Sequence, residues 1–479
     1  MSVVASHAED WPRFRGPNGT GVGDIAALPA ELGAGPNVVW KTTLPPGHSS
    51  PVVSGERVFL TAHEGKALLT IALDARTGAI RWRREAPRDR TTPVDKRNGP
   101  ASPSPVSDGR SVFVFFQDYG LIAYDLEGRE RWRTPLGPFQ NVYGLGASPI
   151  VVDESVVLVV DQGRGSFVAA FGKDDGRLRW KTPRPEALSG HSTPAVYRPP
   201  SGPALILAPG SFRLDAYDAR TGETVWWVNG LPSEMKSVPV LDGDTVYVSG
   251  YSSPENEPGA HKAVPSFEAV LKEHDKDGDG RISAAEAPEG PARDYLPFSD
   301  LDHDGRLDAS EWAIFAASMA AENGLLAFRL GGRGDATPTA LRWRYQRSVP
   351  QLPSPLLYRG VLYMINDGGI LTTLDPATGE VLKKGRLHGA VDHYYASPVA
   401  GDGKVYFVTR SGTVVTVRAG PEQEVLAVRD LDDECTATPA IAGGRIYLRT
   451  RSALYCFRRS AAPHSQAEEI PRMQRRSIP

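Results

Sequence analysis

The chain has 479 residues, 40% of them hydrophobic and 23% charged, with a formal net charge of −3. It carries no basic, aromatic-interleaved run for nucleic acid and no stretch of the ~18 apolar residues that a membrane helix needs, so neither partner is expected. Two cysteines, Cys435 and Cys456, exclude a disulfide framework or a cysteine-based zinc site, while 49 glycines and 41 prolines suit many short strands joined by tight turns.

Residues 1–37 read as a leader segment. Within it Val4-Ala5-Ser6-His7-Ala8 puts small residues at the minus-three and minus-one positions of a signal-peptidase site, without the basic and long apolar regions that normally precede one. Two readings stand: the chain starts inside a longer signal peptide, which makes the protein periplasmic or secreted, or this is a short unstructured start.

From residue 38 a repeat takes over. A small residue followed by Pro opens an apolar run at Ser50-Pro51, Ser104-Pro105, Ser148-Pro149, Thr193-Pro194, Val238-Pro239, Ser354-Pro355, Ser397-Pro398 and Thr438-Pro439. Successive prolines are 54, 44, 45, 45, 116, 43 and 41 residues apart. One interval exceeds the blade period of about 40–50 by roughly 70 residues and holds an insertion. Within a unit, Pro starts a strand where its missing N–H costs least, and a Gly turn leads to a second alternating strand. A third strand ends at Asp, and a turn containing Gly leads to a fourth strand bearing Trp: Asp74…Gly78…Trp82, Asp125…Gly128…Trp132, Asp174…Gly176…Trp180, Asp218…Gly222…Trp226. Asp375…Gly379 keeps the turn but has Lys383 in place of Trp. Gly supplies the positive φ, Asp accepts hydrogen bonds from turn amides, and Trp is expected to pack between neighbouring units.

Four antiparallel strands repeated eight times predict an all-β fold, an eight-bladed β-propeller. The last unit, 439–458, has three strands, and Val38-Val39-Trp40-Lys41 is expected to supply its fourth and so lock the ring. The propeller is thus assigned to 38–253 and 324–458, with 254–323 as an insertion in the fifth blade and 459–479, rich in Pro, Ser, Gln and mixed charge, as a disordered tail.

The Ser-Pro openings and the Asp-x-x-Thr-Gly-x-x-x-Trp endings resemble the pyrroloquinoline-quinone-type propeller repeat family, and residues 11–21, Trp-Pro-Arg-Phe-Arg-Gly-Pro-Asn-Gly-Thr-Gly, resemble the opening of its bacterial members. The resemblance implies the propeller. It leaves function open between quinone-dependent alcohol dehydrogenases and a non-enzymatic outer-membrane assembly lipoprotein. The dehydrogenases of the family stack their cofactor on a disulfide between adjacent cysteines, which this sequence lacks.

The insertion carries two copies of one design. Asp275, Asp277, Asp279, Arg281, Ser283 and Glu286 stand at positions 1, 3, 5, 7, 9 and 12 of the first loop, and Asp300, Asp302, Asp304, Arg306, Asp308 and Glu311 at those of the second. Gly280 and Gly305 occupy position 6 and Ile282 and Leu307 position 8. This is the EF-hand pattern, in which Gly permits a sharp turn, position 7 gives its carbonyl and the terminal Glu binds through both oxygens. Two calcium ions are therefore expected. Residues 265–322 hold 14 Asp and Glu against 5 Lys and Arg, a net of −9 of which two calcium ions would remove four charges. Residues 266–271 and 311–315 read as entering and exiting helices. Pro288, Pro291 and Pro297 leave little room for helices between the loops, and Ile282 is expected to pair with Leu307.

Residues just before the eight prolines should line the mouth of the channel, on the face that also bears the insertion: His48, Asn98, Tyr143, His191, Lys236, Gln351, Asp392, His393, Tyr394 and Glu434. No catalytic residue is assigned, since no phosphate loop, Gly-x-Ser-x-Gly or His-Glu-x-x-His occurs. The expected function is a calcium-binding scaffold in the cell envelope that takes a protein or small-molecule partner at the mouth, without pyrroloquinoline quinone. The alternative is a quinone-dependent oxidoreductase or another enzyme using the central funnel.

Overall fold

The structure, a computed structural model, describes residues 10–23, 25–188, 190–252 and 264–460; the signal-peptide reading of residues 4–8 and the disordered reading of the tail beyond residue 460 fall outside them. Eight four-stranded antiparallel units form the ring. Blade 1 is Val52–Ser54, Arg57–Glu64, Ala67–Asp74 and Ile80–Ala86, and blades 2, 3 and 4 repeat that order over 106–135, 150–183 and 195–229. Blade 5 is Val240–Asp242, Thr245–Gly250, Gly324–Arg329 and Leu341–Tyr345, split by the insertion between its second and third strands. Blades 6 and 7 span 356–386 and 399–430. Blade 8 is closed as the sequence predicts: Val38–Thr43 pairs antiparallel with Ala453–Phe457, Trp40 opposite Cys456.

The strands differ in composition because they differ in surroundings. The second strands Ser111–Phe116 and Thr245–Gly250 and the third strand Phe167–Gly172 are buried throughout, since both of their faces meet adjacent blades. In the outer strand Glu130–Pro135 only Trp132 is buried. The apolar clusters accordingly lie between blades, as where Phe113, Phe115 and Leu121 of blade 2 meet Val156, Leu158 and Phe167 of blade 3.

Two seams join the blades, and each explains one of the repeated motifs. At the outer rim the tryptophans of five blades donate their indole N–H to the next blade's turn: Trp40 to Ala75, Trp82 to Leu126, Trp132 to Lys173, Trp180 to Ala219 and Trp343 to Pro376, at 2.8–3.3 Å. The ring lies against the turn glycine, so a Cβ on Gly78, Gly128, Gly176, Gly222 or Gly379 would stand 2.3–2.6 Å from it. Lys383, the departure from the pattern, does the same work through its ammonium, which donates to Glu422 O at 2.6 Å. Blade 7 has Ala427 at this position, and Trp226 of blade 4 makes no such bond. The blade 5 turn that it should meet is longer, and its segment Gly334–Asp335 pairs in parallel with Trp226 and Trp227.

At the inner rim the residue before each proline makes a belt. The amide of Ser50 donates to the Ser104 hydroxyl, Ser104 to Ser148, Ser148 to Thr193, Val238 to Ser354, Ser354 to Ser397, Ser397 to Thr438 and Thr438 back to Ser50, all at 2.9–3.0 Å. The belt breaks once, at Val238, which has no hydroxyl.

The leader is not a separate segment. Trp11 bridges to Val53 of blade 1, Pro12 O accepts from Ser107 of blade 2, the Asn18 amide holds Val196 of blade 4 through both its backbone groups, and Gly21 O accepts from Ala400 of blade 7. Residues 11–23 thus close one end of the central channel, with Trp11 and Arg15 fully buried. Gly16, at φ +70°, lies against the Trp11 ring where a side chain has no room.

Candidate functional site

Above this plug the channel opens into a chamber of about 240 Å³. Phe14 of the leader lies in its wall, flanked along the chain by two buried guanidinium groups. Arg13 donates to Pro194 O and Arg15 to Pro355 O, the residues immediately after the belt members Thr193 and Ser354. The belt hydroxyls of Ser50, Ser104, Ser148, Thr193 and Thr438 face the chamber. Six residues predicted for the mouth line it: His48, Asn98, Tyr143, His191, Lys236 and Gln351. Among the described lining residues there is no carboxylate.

Four predicted residues lie elsewhere. His393 is exposed and holds Asp367 through Nδ1 at 2.8 Å, while Tyr394 is buried in the blade 6–7 core with its hydroxyl donating to Ala390 O. Asp367 draws both of them outward by also accepting from the Tyr394 amide. The chain therefore presents the next residue, Tyr395, to the chamber. Asp392 and Glu434 do not line it either: Asp392 accepts from the Ser411 and His393 amides, and Glu434 meets Arg451. Arg97, whose guanidinium lies 5.0 Å from the centre of the Tyr143 ring, was not anticipated. Its neighbour Asn98, which donates to Tyr143 O and Gly144 O, was the only sign of it.

The chamber's charges are set by burial. His48 is held down to about 4 by burial and the positive field of Arg449, and His191 to about 3 by burial and Lys236, so both rings are neutral at pH 7. Burial also lowers Arg13, Arg15 and Arg449 to about 9, which leaves them cationic there. Lys236 pairs with Glu234 and Arg97 with Asp95.

The insertion stands over this mouth. Its helices are Phe267–His274, Pro291–Asp294, Leu296–Ser299 and Ala309–Ala320, the middle two reduced to single turns as the prolines require. Ser266 caps the first, and Asp308 and Glu311 form a reciprocal capping box on the last. Ile282 pairs with Leu307 between the two acidic loops. In the first loop Asp275, Asp277 and Glu286 bring carboxylate oxygens within 4.8 Å of one another, as do Asp300, Asp302 and Asp304 in the second. Asp275 accepts from the amides of Gly278 and Gly280, and Glu286 from those of Lys276, Asp277 and Ser283 and from the Ser283 hydroxyl, which holds Glu286 down at about 2. Asp300 and Glu311 repeat these roles with Asp304, Gly305, Leu301 and Asp308. Arginines sit among the carboxylates: Arg306 against Asp277 and Asp279, Arg281 against Asp304, and Arg164 of blade 3 against Asp302, Asp308 and Glu311.

Phe298, from the short helix between the loops, stacks on the chamber residue Tyr143, with centroids 5.9 Å apart at 27°. A second cavity of about 300 Å³ lies between insertion and propeller, walled by Phe298, Phe315 and Met319 on one side and Phe212 and Leu188 on the other, and sharing Arg97, Tyr143 and Gln351 with the chamber.

The model of the family described as outer membrane protein assembly factor BamB matches residues 18–142, 70–257 and 166–462. The chain belongs to that family. A BamB of Burkholderia pseudomallei is 25% identical over 243 residues, 49% of this chain and 58% of that protein, and a BamB of Yersinia pestis is 28% identical over 240 residues, 45% and 56%. The chain thus matches little more than half the length of these relatives. Among solved structures, BamB from Moraxella catarrhalis superposes with a TM-score of 0.55 at 12% identity, covering 89% of this chain and 98% of that one. A europium-containing methanol dehydrogenase gives 0.60 at 11%, covering 95% and 98%. At such identities both report the fold alone. BamB membership and propeller architecture agree with the reading from the repeats. No helix among the described residues is long and apolar enough to cross a membrane.

Proposed function

We propose that this chain is a calcium-bearing β-propeller that serves as an interaction scaffold in the cell envelope, with a protein partner engaged at the mouth that the insertion overhangs. The observation that carries the reading is the stacking of Phe298 on Tyr143, which makes insertion and channel mouth one continuous surface. Family membership and the BamB relatives support the envelope setting. The acidic loops suit calcium, which takes six to eight hard oxygen ligands. Asp275, Asp277, Asp279, Ser283 and Glu286 with the Arg281 carbonyl would hold one ion, and Asp300, Asp302, Asp304, Asp308 and Glu311 with the Arg306 carbonyl the other. The ions would neutralise carboxylates that the arginines now share.

The quinone-oxidoreductase reading has the methanol dehydrogenase fold in its favour. Against it, Cys435 and Cys456 are separately buried and the described chamber wall offers no carboxylate to serve as a base. Affinity capture from the source cell envelope, with purified chain as bait, tests the scaffold reading. A discrete envelope protein should be retained in calcium and lost with Phe298→Ala or with Tyr143→Ala. Stoichiometric retention of pyrroloquinoline quinone through gel filtration, with calcium-dependent alcohol oxidation, would overturn it.

A further inference from the structure

The central chamber is furnished with hydrogen-bond donors and positive charge to a degree that the ring's own architecture leaves uncompensated. Each of the seven belt hydroxyls accepts one backbone N–H from its neighbour, as the belt requires. The O–H of every one of them finds no acceptor among the described residues. Five of these hydroxyls face the chamber. Just past the belt, Arg13 and Arg15 are 6% and 0% exposed and meet only carbonyl oxygens. Neither has a carboxylate partner among the described residues, Nε of both and Nη1 of Arg15 have no partner at all, and each guanidinium lies in the other's field. Arg449, whose charge acts on His48, is likewise buried against the carbonyls of Ser49, Thr61 and Pro45 and the Ser49 hydroxyl. On the mouth side stand Arg97 and Lys236, whose partners Asp95 and Glu234 do not line the chamber, and the Nε2 of His191 is enclosed without a partner.

Buried cations are ordinarily paired, because taking an uncompensated charge out of water is costly even after relaxation. Here Arg13, Arg15 and Arg449 have no carboxylate partner among the described residues, and the neighbouring chamber is lined with O–H donors and with no described carboxylate. A ligand that accepts hydrogen bonds from several directions and carries negative charge satisfies both requirements, and a cation or a neutral apolar molecule satisfies neither. We propose that the axial chamber is a binding site for a small dianionic oxyanion, accepting from the Ser104, Ser148 and Thr193 hydroxyls and from Lys236, in the field of Arg13 and Arg15. The inference concerns the chamber alone and stands or falls apart from the scaffold reading, which concerns the surface above it.

Sulfate and succinate serve as probes, since each carries two negative charges and neither strips calcium from the loops. The full chain, calcium-loaded, would be titrated with each by calorimetry at constant ionic strength, with chloride as the balancing salt. One saturable site per chain in about the millimolar range or tighter is expected for at least one probe. Preference for sulfate would assign a phosphate- or sulfate-like group, and preference for succinate a carboxylate. Lys236→Gln and Ser104→Ala should each weaken binding about tenfold, as loss of one charge-assisted or hydroxyl donor implies. Lys236→Gln leaves the belt intact, so it reads the site even if Ser104→Ala disturbs folding. Absence of saturable heat for both probes, or Lys236→Gln binding as tightly as the unaltered chain, would overturn the proposal.

Discussion

Gly128 has a φ of +82° and faces the Trp82 ring at a distance where a Cβ would stand 2.6 Å away, whereas Gly243 has a φ of +54° with nothing within 4 Å. The pair separates the two demands made of turn glycines. Gly243→Ala should cost about 1 kcal/mol for the backbone alone, and Gly128→Ala about 2–4 kcal/mol because it also pushes Trp82 from its seat. Denaturant unfolding would read both, and equal losses would contradict the clasp. The chamber histidines give a pH dependence. His48, facing Arg449, His63, Arg410 and Arg451, and His191, facing Lys236, have folded values below the ordinary 6.5, at about 4 and about 3. Between those values and 6.5 the unfolded chain binds protons that the folded chain refuses, so their contribution is complete above pH 6.5 and is lost as pH falls toward 4 and 3. The melting temperature should decline over that window, and His191→Gln should flatten part of the decline.

At the scale of elements the insertion exposes a competition. Arg164 of blade 3 occupies the carboxylates Asp302, Asp308 and Glu311 that the second loop would turn on calcium. Arg164→Ala should therefore tighten calcium binding at that loop several-fold, by removing a competitor of the ion, and unchanged affinity would show that the guanidinium does not enter the ligand sphere. The acidic loops were legible because two twelve-residue patterns with Gly and Glu in register leave few alternative readings, and the blades because Ser-Pro and Asp–Gly–Trp recur at one period. The leader was not legible. Its Trp11, Arg13 and Arg15 follow neither strand nor helix period, and they are held by Val53, Pro194 and Pro355, residues of blades 1, 4 and 6 that are far apart in sequence. The mouth was legible at His48, Asn98, Tyr143, His191, Lys236 and Gln351 and misplaced by one residue at Tyr395, since Asp367 redirects the loop through a contact that no periodicity announces.

For the whole molecule, the two ends of the insertion meet in one hairpin, where Gly250 pairs with Gly324 and the Ser252 amide donates to Asn323. Loop closure changes by only about 0.6 kcal/mol per doubling of length, so replacing residues 254–322 with a short Gly-rich turn should leave a folded propeller with its own thermal transition. Its attachment to blade 3 is one stacked pair, the Arg164 contacts and the packing of Leu301 against Gly163, too little to hold the ring together. Insoluble product would make the insertion part of the propeller's core.

The central proposal, that the module at the propeller's mouth binds calcium, is tested most directly by calorimetric titration of the chelator-treated chain with calcium. Two ions should bind per chain with affinities of about 10⁻³ M or tighter, the range of extracellular sites, and Glu286→Gln with Glu311→Gln should abolish most of the heat while the propeller's thermal transition persists. No uptake of calcium up to millimolar concentration, in a chain that is otherwise folded, would contradict it.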